Sequence, residues 1–276
     1  MAYPVVSAPY GLKPINLIGG QVFAGSTREY PIANGYATNI FYGDYVALVR
    51  GNLERISVST GTLGTVVGIF LGCSYTNPVT KQKTFAQYWP SGTAAGDAVA
   101  IVCDDPDTVF KAVVCSSGTT IASGARAMIG QNLAMINNSG STATGDSKNA
   151  ILAPNDTPAT TDALPVRVLG LVTETAVSLG TATYTSIATA TVTCSALPYA
   201  LPVGTDVGSL DSNGNYIPSG SFVDTAAAAG ATSFVLNQAP SAAFASSATL
   251  VFTQYPELLV KINMGQHEYY YATATA

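Results

Sequence analysis

Apolar and polar residues alternate with a period of two along most of the chain, the pattern of half-buried strands rather than of amphipathic helices. The alternation is clear from Ile40 to Val49. Gly43-Asp44 reads as a turn feeding a strand over Tyr45–Arg50, and Gly51-Asn52 turns the chain toward ERISVST. TVVGIFLGCSY at 65–75 is apolar enough for a fully buried strand. TNPVTKQK at 76–83 reads as a turn, and TFAQYWP at 84–90 as an aromatic strand holding the single tryptophan. AVAIVC (98–103) and VFKAVVC (109–115) form a strand pair over the acidic turn Asp104-Asp105-Pro106-Asp107. PVRVLGLVT (165–173) and ELLVKIN (257–263) are further strands. Residues 121–136, IASGARAMIGQNLAMI, are the best helical segment, weakened by Gly124 and Gly130. The polar run 137–164 reads as a long surface loop.

Three prolines and several glycines in residues 1–22 exclude a helix there and favour an extended arm. The arm is nevertheless apolar, so it is expected to dock on its own barrel or on a neighbouring subunit. A second break is one of charge. Residues 177–253 contain no Lys or Arg, and their only acids are Asp206, Asp211 and Asp224. Thr alternates with apolar residues there, as in YTSIATATVTC. The expected organisation is an extended arm at 1–22, a β host domain at 23–176 plus 254–276, and an inserted small all-β module at 177–253. The other reading of the same pattern is one continuous β domain with unevenly placed charge. The fold class is all-β: a β-barrel or β-sandwich host carrying the inserted module.

Composition sharpens this picture. The chain has 276 residues, and charged residues make up 10%, far below the roughly 25% of ordinary domains. The net charge of −5 with no basic stripe argues against a nucleic-acid partner. No run approaches the ~18 apolar residues of a membrane-spanning helix, and the start of the chain lacks the plan of a signal peptide. No membrane partner is therefore expected. Cys73, Cys103, Cys115 and Cys194 form no CxxC pair and read as buried, reduced thiols, although spacing would allow a Cys103–Cys115 bridge.

Candidate chemistry is sparse. Asp104, Asp105 and Asp107 have the oxygen density of a hard-cation loop, but clustered Asp beside Pro is also ordinary turn chemistry. Asp211, Asn213 and Asn215 mimic the start of an EF-hand loop, yet Phe222 stands where the closing Glu is required, and an Asn213-Gly214 turn explains them better. His267 and Glu268 are adjacent and would point to opposite faces of a strand. No nucleotide loop and no nucleophile motif occurs. No cofactor, no metal site and no catalytic residue is therefore expected. Tyr269, Tyr270 and Tyr271, with Tyr88, Trp89 and Tyr255, could stack on a sugar. Tyrosines also favour protein interfaces, and the interface reading is preferred for the terminal segment.

Four stretches carry a resemblance: residues 8–48, APYGLKPINLIGGQVFAGSTREYPIANGYATNIFYGDYVAL; 68–90, GIFLGCSYTNPVTKQKTFAQYWP; 100–112, AIVCDDPDTVFKA; and 256–274, PELLVKINMGQHEYYYATA. Together they resemble virion structural proteins of tailed bacteriophages, most closely capsid decoration (cement) proteins. The resemblance implies a position on the outer surface of the head shell after synthesis in the host cytoplasm. It also implies the major capsid protein as a partner, self-association as a homotrimer, and a mechanical rather than enzymatic role. Tyr10, Leu12, Ile15 and Leu17 of the arm, with Tyr269, Tyr270 and Tyr271, are the expected interface residues. The run DSNGNYIPSGSFVDT resembles small β modules of phage appendages, which implies an outward-facing knob. The alternative is a head-fibre, vertex or tail-associated protein whose module binds a host-surface glycan.

Overall fold

The alternation seen in the sequence becomes strands almost wherever it occurs. The computed structural model describes residues 6–58, 65–153, 161 and 163–270. The arm forms β1 (Lys13–Leu17). Then β2 (Arg28–Pro31), β3 (Tyr45–Val49), β4 (Asn52–Arg55), β5 (Gly68–Thr76), β6 (Lys83–Ala86) and β7 (Val99–Cys103) build a six-stranded antiparallel sheet. Its path is β2-β7-β5-β3-β4, with β6 paired to β5. Both faces are apolar. Ile69 packs into one core and its neighbour Phe70 into another that holds Trp89, as the period-two geometry requires.

The chain continues through β8 (Thr108–Ser117), β9 (Thr120–Ile121), β10 (Asn132–Leu133), β11 (Met135–Ile136), β12 (Ala150–Leu152) and β13 (Val166–Leu171). The strands β14 (Val177–Ala188), β15 (Thr191–Cys194), β16 (Asp206–Leu210), β17 (Tyr216–Thr225), β18 (Ser233–Leu236) and β19 (Thr249–Gln254) follow, and β20 (Glu257–Ile262) returns to the host. β20 lies between β13 and β8, and β1 joins the start of β8. This second sheet packs on the first. Tyr45, Val66, Ile69 and Cys103 of one share a core with Phe110, Val114, Val168 and Val260 of the other. The host is thus a β-sandwich.

The strands β14 to β19 close into a barrel in the order β14-β15-β18-β17-β16-β19. The seam is the β14–β19 ladder, running from Val177 opposite Gln254 to Thr183 opposite Thr249. Threonines of β15 face outward and Val192 and Cys194 inward, so the barrel has a core of its own. Closure leaves it no unpaired strand edge, a feature that compensates for the scarcity of charged side chains there.

The barrel is seated on the sandwich. Phe222 lies on barrel strand β17 but belongs to the host core, where it is 0% exposed. Around it, Gln254 donates to the Ala122 carbonyl at 2.9 Å, and the Tyr255 N–H donates to the Ser123 hydroxyl at 2.9 Å. Asp206 accepts from the Arg126 N–H at 3.2 Å and from the Tyr216 hydroxyl at 2.9 Å. Gly204 has φ +81, and a Cβ there would overlap the Ser123 carbonyl oxygen, so only glycine lets the two backbones approach this closely.

Two expectations fail here. Residues 121–136 are not a helix: they hold one 3-10 turn, Arg126–Met128, and three short strands or strand ends. Their backbone is paired to other strands instead: Ile121 to β8, Leu133 to β13 and Met135 to β12, and Gly124 passes close against another strand. The Gly124 N–H bonds the Tyr255 carbonyl, and a Cβ would collide with the Leu258 side chain. Nor is 137–164 simply a surface loop. Ala150–Leu152 pairs in parallel with β8, and Ser147 and Asn149 are buried. These polar residues face a buried charge, not water. Asp44, wholly buried, accepts from Ser147 at 2.6 Å, Asn149 at 3.1 Å, the Phe41 N–H at 3.0 Å and Arg55 at 2.7 Å. All four cysteines are buried and free.

Candidate interaction face

The acidic turn between β7 and β8 organises the most distinctive surface of the molecule. Asp105 shapes the turn: its carboxylate accepts the Asp107 N–H at 2.9 Å and its carbonyl the Thr108 N–H at 3.1 Å. Asp104 is nearly buried. It accepts from the hydroxyls of Tyr30, at 2.8 Å, and Tyr269, and pairs with Arg28 at 3.1 Å. The two hydroxyls are 2.6 Å apart. Burial, reinforced by the bond to Asp104, pushes the Tyr269 phenol well above its ordinary range, so it remains a donor. Asp107 pairs with Lys261 at 3.4 Å. Each acid of this turn thus already has a protein partner. Among the described residues no group of three or more His, Cys, Asp or Glu is placed to hold a metal ion.

The hairpin after β1 and the segment after β20 both arrive at this turn. From the arm, Leu17 stands opposite Thr108, and the Ile18 N–H donates to the Asp107 carbonyl at 2.9 Å. From the other end, Met264–Gln266 and Glu268–Tyr270 form two 3-10 turns after β20. They are held by Val66, whose N–H donates to Gln266 and whose carbonyl accepts from Glu268. His267 is buried among them, its ring 5.0 Å from that of Tyr269. Burial lowers its pKa, opposed by the nearby Asp104.

The surface produced this way is unusually apolar. Ile18 is 52% exposed, Val22 76%, Met264 53%, Tyr269 45% and Tyr270 49%. Ile18, Leu169 and Met264 line a groove of about 550 Å³, with Arg167 and Lys261 beside them. Arg28 lies over the Tyr269 ring at 5.7 Å. Apolar and aromatic side chains with cations at the edge are the composition of a protein-binding surface. The neighbouring edge strand β2 is poorly suited to adding a further strand, because Pro31 lacks an N–H and Arg28 and Glu29 are charged.

The expected interface residues divide. Tyr269 and Tyr270 are on this face, and Tyr271 lies outside the described residues. Ile15 and Leu17 are half-buried in β1. Leu12 is fully enclosed in the host core and offers no surface to a partner. Tyr10 is half-buried. Its hydroxyl donates to Glu257, which also pairs with Lys111 at 3.4 Å, and the Lys13 ammonium lies 4.5 Å from its ring. The arm therefore docks on its own chain. Ile18, Val22, Leu169 and Met264 were missed. Ile18 and Val22 did carry a signal: they flank Gly19-Gly20 at a hairpin tip, where polar residues are usual. Glu268 accepts from the Leu48 N–H at 3.2 Å, away from His267. Asp211 accepts the N–H groups of Asn213 and Asn215, both at 2.8 Å, in an ordinary Asx turn. The chain matches no family model, no curated protein and no solved structure.

Proposed function

We propose that this protein is a capsid decoration protein of a tailed bacteriophage, bound to the outside of the head shell through the face at the 104–107 turn. The observation that carries the reading is the convergence of the hairpin after β1 and the segment after β20 on one exposed apolar and aromatic surface, which the protein's own core does not use. The closed barrel, the arm paired to its own sheet and the fully partnered acids of the turn support a mechanical role. They describe a rigid body with a face to bury. The resemblance of residues 8–48, 68–90, 100–112 and 256–274 to virion proteins supports the same reading. The acidic balance would keep the protein away from packaged DNA. The major capsid protein is the proposed partner.

The test has two arms. Quantitative mass spectrometry of purified virions should give a copy number near one per shell subunit. A count confined to the vertices or tail would favour the head-fibre or adhesin role with a glycan-binding module, and absence from virions would refute both. Met264→Asp and Ile18→Asp should then lower shell occupancy at least tenfold, since burying such a side chain contributes about 1.5–3 kcal/mol. Their melting temperatures should stay at the wild-type value.

A further inference from the structure

A second pair of surfaces, remote in sequence from the chain ends, has complementary form and charge. One is the hairpin between β5 and β6. Its tip is preorganised: the Asn77 carboxamide accepts the N–H groups of Val79 and Thr80 at 2.9 and 3.1 Å, and the Asn77 N–H donates to the Gln82 carbonyl at 2.9 Å. Lys81 closes the turn with φ 60. This tip presents Val79, at 85% the most exposed large apolar side chain among the described residues. Lys81 is exposed beside it, and no ion pair joins it to a carboxylate among the described residues. Lys83 at the base is paired with Asp97 at 3.1 Å.

The other surface is a pocket of about 340 Å³ on the barrel, between β16–β17 and the loop before β19. Leu210, Ile217, Pro218, Ala243 and Phe244 give it an apolar lining, and Asp211 is the one charged group there. The Asn215 side chain and backbone hold the Asp211 carboxyl below the usual carboxylate range, so it is ionised at neutral pH. No base lies anywhere in residues 177–253, and no ion pair reaches Asp211 among the described residues. Because Val79 stands in solvent, the chain does not fill this pocket with its own hairpin.

We infer that the occupant of the barrel pocket is the β5–β6 hairpin of a second copy of this chain, with Val79 in the apolar lining and Lys81 against Asp211. The charge complementarity is specific: among the described residues, a lysine with no ion pair beside an exposed valine meets a carboxylate that has hydrogen bonds within its own turn but no ion pair, beside an apolar pocket. Knob and pocket are different surfaces, so the contact is heterologous, and copies joined head to tail close into a ring or extend as a filament. The rigid turn keeps the ordering cost of the contact low. The inference concerns self-association only and does not depend on binding to a shell.

The test is the solution mass of the full chain by light scattering or sedimentation. The wild type should exceed the monomer mass of 28.2 kDa at micromolar concentration. Lys81→Glu and Asp211→Lys should each weaken association by about tenfold or more, because each places like charges in contact. The double variant Lys81→Glu/Asp211→Lys should recover it, and Val79→Asp should abolish it. Circular dichroism checks that every variant is folded; Val79 and Lys81 are exposed, Asp211 is partly exposed, and none of the three belongs to a hydrophobic core. A wild type that stays at 28.2 kDa, single variants of unchanged mass, or a folded double variant that fails to recover would each overturn the inference. Shell occupancy is read separately and can fail without affecting this result.

Discussion

Phe222→Ala tests whether the barrel and the sandwich unfold as one body. Phe222 is supplied by the barrel, yet its ring fills the host core and is 0% exposed. Removing a buried phenylalanine side chain costs about 3–5 kcal/mol, part lost transfer energy and part unfilled cavity. The polar ties across the same junction are the bonds of Gln254, Tyr255 and Asp206 to residues 122–126. Each contributes about 0.5–1.5 kcal/mol, so the ring is the largest single tie. For a chain of this size, 1 kcal/mol moves the melting temperature by about 2–4 °C. The expected fall is therefore about 6–20 °C, within a single transition followed both by calorimetry and by far-ultraviolet circular dichroism. Tryptophan fluorescence reports the host, because Trp89 is in the sandwich, and it should shift by the same amount. Two separate wild-type transitions, or a Phe222→Ala variant whose tryptophan signal melts at the wild-type temperature, would refute the argument.

Other outcomes follow from buried groups. His267 is the only histidine in the chain, and its pKa is held below the ordinary 6.5 by burial. The unfolded chain therefore takes up a proton first. The contribution of His267 to stability is complete above pH 6.5 and is lost as the pH falls below it. Melting temperature should decline on acidification through that range, and His267→Gln should flatten the decline. The cysteines give a second readout. Burial raises Cys73 to about 12 and Cys103 and Cys115 to about 11. A thiol reagent should leave the native protein unlabelled and label all four sites in denaturant. Asp44→Asn leaves Arg55 without its carboxylate in a buried network. It should lower stability in urea by about 3–5 kcal/mol, with little change in the slope of the transition.

Much of the fold was legible because strand periodicity is local. The alternation of Thr191–Cys194 and the apolar run of Gly68–Thr76 place strands without knowledge of their partners. What could not be read depends on residues far apart in sequence. Gly124 looked like a flaw in a helix, but its role is to pass beneath Leu258, more than a hundred positions away. Ser147 and Asn149 looked like loop residues because the carboxylate to which they donate hydrogen bonds, Asp44, is about a hundred positions away. The same limit divided the expected interface residues. The C-terminal tyrosines were visible as an aromatic cluster, but nothing local said that Tyr269 would meet Asp104. Leu12 and Ile15 look alike in an apolar arm, but Leu12, just before β1, donates its N–H to the Gly43 carbonyl and enters the host core, whereas Ile15 falls at the register shift of β1 on β8 and stays half-buried.

The way the barrel is attached has a mechanical consequence. Strands β13 and β20 are antiparallel neighbours, and the barrel occupies the position of the turn that would join them as a hairpin. Both of its connections leave from the same end of that ladder, where Leu171 stands opposite Leu258. A tensile load applied to the barrel would therefore enter the sandwich as an unzipping force, met by one rung of hydrogen bonds at a time rather than by all of them in shear. The better-anchored strand is β20, which is also bonded to β8, whereas β13 has only the two-residue β10 on its other side. Peeling would begin at β13. Compression in the opposite direction would press Phe222 and Gly204 more firmly into their seats. The joint is stiff when pushed and compliant when pulled.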